Sequence, residues 1–116
     1  MIRIKKVDVP FYYGKLTIVI AKDLRKAMKK VKEEIEKGFV PENYDAFVTW
    51  HIKNNYHNYT VFLKPNATAP TIAHEALHLS NRILHDINHT PTFINDEPQA
   101  YLLGWIVKEI YKTLKT

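Results

Sequence analysis

The chain opens with apolar Ile2, Ile4, Val7 and Val9 set among Arg3, Lys5, Lys6 and Asp8, and the run stops at Pro10. This near-alternation predicts a half-exposed strand over residues 2–9. After Tyr13-Gly14 comes Leu16-Thr-Ile-Val-Ile-Ala21, rich in β-branched residues, which predicts a second and better buried strand over 15–21. The period then changes. Leu24, Ala27, Met28, Val31 and Ile35 recur at spacings of three and four, so an amphipathic helix is expected over 23–37, with Asp23 capping its start and Gly38 its end. Its basic residues come early and its acidic ones late, against the helix dipole, so packing rather than local electrostatics must hold it.

Alternation returns at Asp45–Ile52, where Ala46, Val48, Trp50 and Ile52 oppose Phe47, Thr49 and His51. Tyr59-Thr-Val-Phe-Leu63 follows the polar stretch Asn54–Asn58, and together the two runs predict a β-hairpin over 45–63. Pro65 to Pro70 breaks the strand and leads into a helix over 70–87, with Pro70 in its first turn. At 100° per residue, Ile72, Ala76, Leu79, Ile83 and Ile87 fall on one side of it, and His74, His78, Asn81 and His85 on the other. Glu75, Arg82 and Asp86 share a flank, where Arg82 and Asp86 have the spacing of an ion pair. A loop over 88–95 joins this helix to a last one over 97–114, with Pro98 in its first turn and Glu97, Tyr101, Gly104 and Lys108 on one face. Glycine within a helix costs about 1 kcal/mol relative to alanine, so Gly104 predicts close approach of another helix. The expected architecture is α+β: a short mixed or antiparallel sheet covered by the first helix and by the helix over 70–87.

Composition narrows the picture. The 116 residues suit a single domain spanning 1–116, and 46% hydrophobic with 25% charged residues describes a globular chain. No cysteine is present, so a bound metal would be held by nitrogen and oxygen. The apolar runs at 16–21 and 102–107 are too short for a bilayer and the first residues carry no signal-peptide pattern, so a cytoplasmic protein without membrane contact is expected. The net charge of +5 allows an acidic partner such as nucleic acid. Arg25, Lys26, Lys29, Lys30 and Lys32 would be the docking patch; the plainer reading is a solvated helix face with Lys29/Glu33 and Lys32/Glu36 pairs.

The densest chemistry is His74-Glu75-Ala76-Leu77-His78. A separation of four brings both imidazoles to one helix face within reach of a single ion, while Glu75, about 100° away, can touch a water beside it. Two histidines and a carboxylate in this order point to a zinc site with its own general base. Catalytic zinc takes three protein ligands, so a partner is needed. His85 lies about 10 Å along the axis from His78, too far for the same ion, and is better read as a contact to the last helix or the substrate. His89 could fold back from the loop after the helix, though it lacks the glycine that precedes such third histidines. Asp96 and Glu97 open the last helix; Glu97 is favoured over Asp96, and Asp96 over His89. His51 and His57, on or beside the hairpin, are remote candidates more easily read as hydrogen-bonded residues.

With H-E-x-x-H on one helix and Asn95-Asp-Glu97 opening the next, the sequence resembles the zincin superfamily, and within it the gluzincins. Uncharged Ala76 and Leu77 inside the motif and Leu79 after it fit that resemblance. So does the closing Asp96-Glu-Pro-Gln-Ala-Tyr101 helix, similar to that of small metallopeptidases encoded by phages and prophages. The likeness covers residues 45–111 well and the first third only in outline. It implies a small zincin-like domain acting as a zinc-dependent peptidase on a peptide or protein: His74, His78 and Glu97 hold Zn2+, Glu75 is the general base, and Tyr101 helps stabilise the oxyanion. It also implies that Tyr59–Leu63 edges the cleft and pairs with an extended substrate. The competing expectation is a structural-zinc module that recruits protein or nucleic acid, with a DNA-associated protease as an intermediate version.

Overall fold

Two features of the strand sequences decide the architecture, and both are met in the computed structural model, which describes residues 1–116. Runs that are apolar on both faces occupy the centre of the sheet, and runs that alternate lie at its edges. The strands are β1 (Ile2–Asp8), β2 (Lys15–Ala21), β3 (Ala46–Lys53) and β4 (Tyr56–Leu63), in the order β1-β2-β4-β3. β1/β2 and β3/β4 are antiparallel, and β2/β4 are parallel, so the sheet is mixed. The hairpin turns at Asn54-Asn55, both with positive φ, as a two-residue turn matched to strand twist requires. Its register sets Val48 opposite Val61 and Trp50 opposite Tyr59.

β4 therefore lies inside the sheet, hydrogen-bonded to β2 on one side and β3 on the other. The expectation that Tyr59–Leu63 pairs with a substrate is corrected: its backbone groups are already taken, and the free edge beside it belongs to β3. Its burial agrees, since Tyr59 to Leu63 are all buried whereas β3 becomes exposed from Trp50 onward.

The helices are α1 (Leu24–Lys30), α2 (Ala69–Asp86) and α3 (Glu97–Leu114). α2 and α3 cover one face of the sheet, where Leu16, Ile18, Ile20, Tyr59, Val61 and Leu63 meet Ile72, Ala76, Leu79, Ile83, Leu102, Ile106 and Ile110. Each such large aliphatic side chain, fully buried, contributes about 1.5–3 kcal/mol. α1 covers the other face, where Leu24, Ala27 and Met28 pack on Val19, Phe47 and Phe62. Arg3 of β1 donates to the carbonyls of Thr113 and Leu114, which ties the carbonyl end of α3 to the sheet edge.

α1 is shorter than its periodicity predicts. It ends at Lys30, and Lys32 turns left-handed with φ +60°, while the Glu33 and Lys32 amides bond the Met28 and Lys29 carbonyls in a Schellman stop. The reversed charge order gives no help to a longer helix, and Val31, Ile35 and Phe39 pack on the core from irregular chain instead. The Lys29/Glu33 and Lys32/Glu36 pairs consequently do not form. Arg25 instead makes a two-bond ion pair with Glu42 of the 3₁₀ turn Pro41–Asn43, leaving Lys26, Lys29 and Lys30 exposed. Gly104 is also a correction: no atom lies within 4 Å of a side chain built there, and the residue faces solvent rather than another helix. No helix is long and apolar enough to cross a membrane.

Candidate functional site

α2 is anchored by its apolar side and presents its polar side outward. Ile72, Ala76, Leu79 and Ile83 have no exposed surface, and His74, His78, Asn81 and His85 lie on the open side. The helix stops in a second Schellman motif at Asn88, φ +62°, a residue type that tolerates this conformation.

The His74 and His78 rings converge. Their Nε2 atoms are 3.1 Å apart, with ring planes 80° apart. Two nitrogens at about 2.0–2.1 Å from one tetrahedral zinc stand roughly 3.3 Å apart, so the pair has close to the spacing of two ligands on one ion. In the absence of an ion, one neutral ring can donate to the other across the same distance.

Glu75 is only 8% exposed. Burial pushes its carboxyl above the usual range, and the neighbouring His74 and His78 pull it back when charged. A carboxyl raised by burial beside two imidazoles is a stronger base than an ordinary carboxylate, which suits a proton-accepting role.

The two flanks of α2 have different neighbours. Ser80 and Asn81, on the flank away from Glu75, receive the Gln99 amide of α3. Glu75, Arg82 and Asp86 lie within about 20° of one line on the other flank, and there the Arg82 guanidinium sits 5.2 Å over the Trp50 ring of β3. Glu75 thus looks toward the free sheet edge, and α3 stands on the far side of the histidines.

The other predicted site residues are not gathered by the structure. No third histidine, aspartate or glutamate joins the imidazole pair in a group able to hold an ion. Glu97 is exposed in the first turn of α3, and Asp96 is its exposed N-cap residue without a side-chain capping bond. Tyr101 is 76% exposed, and with Glu97 it borders an apolar groove lined by Pro10, Phe11, Tyr12 and Trp105. The whole Glu97, Tyr101, Gly104, Lys108 face is solvent-facing, because α3 buries Leu102, Ile106 and Ile110 instead. His85 and His89 border a shallow hollow with Asn81, Asn88, Thr90 and Pro91, where His89 Nε2 is buried without a partner. His51 lies 3.9 Å from Glu33 and His57 lies 3.3 Å from Asp86, so neither reaches the motif pair.

Sequence reasoning did not find the hub at Asp86. The predicted contact to Arg82 is present, Nε to Oδ1 at 3.2 Å, but off the hydrogen-bond axis. Tyr59 donates to Asp86 Oδ2 at 2.6 Å, and His57 Nδ1 approaches the same oxygen. Burial, with Asp86 beside it, holds the Tyr59 phenol well above its usual range, so it stays a donor. Gly14 makes room for this ring: a side chain there would come within 2.9 Å of Tyr59 Cε2, and its φ of +148° suits glycine. Only the Arg82/Asp86 spacing signalled the hub in the sequence.

The chain matches no family model, no curated protein and no solved structure. Its functional reading therefore rests on the geometry around α2.

Proposed function

We propose that the domain is a zinc-dependent peptidase of the gluzincin kind, in which His74, His78 and Glu97 hold the ion. The observation that carries the reading is the convergence of two exposed imidazoles, 3.1 Å apart, beside the buried carboxyl of Glu75. When bound, zinc supplies Lewis-acid polarisation of the scissile carbonyl and lowers the pKa of the attacking water. Glu75 takes the proton of that water and passes it to the leaving amine, the two-way role that an elevated carboxyl suits. Glu97, exposed in the first turn of α3, would be the third ligand, and Tyr101, one turn on, would be the group that assists at the oxyanion.

The free edge of β3, on the Glu75 flank, replaces β4 as the strand that receives an extended substrate. The exposure of the imidazole pair favours this catalytic reading over a structural-zinc module, whose site would be closed by protein ligands. The DNA-associated version is carried only by exposed Lys26, Lys29 and Lys30. The cytoplasmic, phage-host setting belongs to the same proposal.

Glu75→Gln should retain zinc, measured by metal analysis of untagged protein, and lose hydrolysis of a quenched-fluorescence peptide mixture. His74→Ala should lose both. Undiminished turnover in Glu75→Gln would overturn the mechanism.

A further inference from the structure

The hub at Asp86 does more than fasten α2 to the hairpin. It also sets a guanidinium beside the free sheet edge. A concavity at the end of β3 is lined by Trp50, His51, Ile52, His57, Arg82 and Asp86. Asp86 engages Arg82 at one atom only. One of its oxygens is occupied by the Tyr59 hydroxyl and approached by His57, and the other meets only Nε of Arg82, off axis. No hydrogen bond within the chain engages the Arg82 guanidinium, which meets no other carboxylate. Its central carbon lies over the indole of Trp50, itself half exposed on the edge strand. An arginine set on an aromatic ring, partly exposed and with no hydrogen bond within the chain at its terminal nitrogens, can receive a carboxylate in a two-bond fork from those nitrogens. His57 adds a polar group to the same concavity, whereas His51 at the rim is turned to Glu33.

We infer that the Trp50–Arg82 concavity is a carboxylate-binding subsite for a peptide laid along β3. The distance to the proposed reaction centre can be read from the helix. Arg82 is seven residues beyond Glu75, about 10.5 Å along the axis, which an extended strand covers in about three residues. The inference rests on the peptidase reading and adds a substrate class to it: peptides carrying a carboxylate about three residues from the bond to be cleaved. That carboxylate is either an acidic side chain or a free C-terminus. A C-terminus reaches the subsite only if the peptide runs parallel to β3, because an antiparallel peptide brings its N-terminal part to the Trp50 end.

The test uses full-length Glu75→Gln protein and three octapeptides: a doubly blocked one with a central glutamate, its glutamine counterpart, and the glutamine peptide with a free C-terminus. Binding is read from the indole N–H resonance of Trp50. The glutamate peptide, or the free-terminus peptide, should bind on the order of tenfold more tightly than the blocked glutamine peptide, about 1.4 kcal/mol. Whichever of the two shows the gain identifies the source. Arg82→Gln should abolish the difference and Arg82→Lys should keep part of it. Equal binding of all three peptides, no response of Trp50, or a preference that survives in Arg82→Gln overturns the inference. Because the comparison is of binding, the two claims fail separately. Loss of the preference with hydrolysis intact in the parent protein removes only the subsite. A preference without hydrolysis removes only the peptidase reading.

Discussion

Titrating zinc into metal-free protein should raise its unfolding temperature, and the two imidazoles set the scale of the effect. A ligand that binds only the folded chain adds RT ln(1 + [L]/Kd) to the unfolding free energy, about 2.7 kcal/mol at a hundredfold excess over Kd. For a chain of 116 residues this is a rise of roughly 10 °C. The Nε2 atoms already stand 3.1 Å apart, so the rings need little reordering to meet an ion. Immobilising a free side chain on binding costs about 0.5–1.5 kcal/mol, and here folding has met most of that cost. His78 is exposed, so His78→Ala removes a ligand without opening the core. That variant should unfold at the parent temperature in chelator and lose the zinc increment. Glu97→Gln should reduce the increment without abolishing it, since two imidazoles still chelate, and Asp96→Asn should leave it unchanged. Scanning calorimetry in zinc and in chelator measures all four proteins. Equal increments in the parent and in His78→Ala would refute the assignment of the pair as a metal site, and an unchanged increment in Glu97→Gln would refute Glu97 as the third ligand.

The remaining predictions concern the scaffold. Gly104→Ala should stabilise the domain by about 1 kcal/mol in urea unfolding, because alanine is the better helix former and the space around the position is open. Tyr59→Phe should cost about 1.5–3 kcal/mol in the same assay, the range for a hydrogen bond to a charged acceptor, here Asp86 at 2.6 Å. The Glu42 carboxyl is lowered to about 2, first by its hydrogen bonds from Arg25. Its contribution to stability is therefore present above the unfolded carboxyl range and lost as pH falls toward about 2. An NMR titration should give that midpoint in the parent and return it toward 4–5, the ordinary carboxyl range, in Arg25→Ala. A parent midpoint already in the ordinary range would refute the pairing.

What could be read from the sequence divides along physical lines. Periodicity reports which side of an element is buried, so β1, β2, the hairpin and both long helices were legible, as was the outward face of α2 with its two histidines. The end of α1 was not, because Val31 and Ile35 continue the helical spacing and do reach the core, yet do so from a chain that Lys32 has already turned out of the helix. Strand order was not legible either. Tyr59 to Leu63 was expected to edge the cleft, but its pairing with β2 is a long-range choice that local pattern does not encode. The error with most consequence for the site came from Gly104. Read as a point of close contact, it turned the Glu97–Tyr101 face toward α2. The larger apolar stripe of Leu102, Ile106 and Ile110 governs the helix instead and leaves that face in solvent. The imidazole pair and Glu75 are therefore organised by one helix and its core, whereas a third ligand depends on a side chain at the start of another. Zinc affinity should accordingly be far more sensitive to His74 and His78 than to Glu97. The flank proposed to select substrate is organised by Trp50, Tyr59 and Asp86, residues up to 36 positions apart that only the folded hairpin brings together.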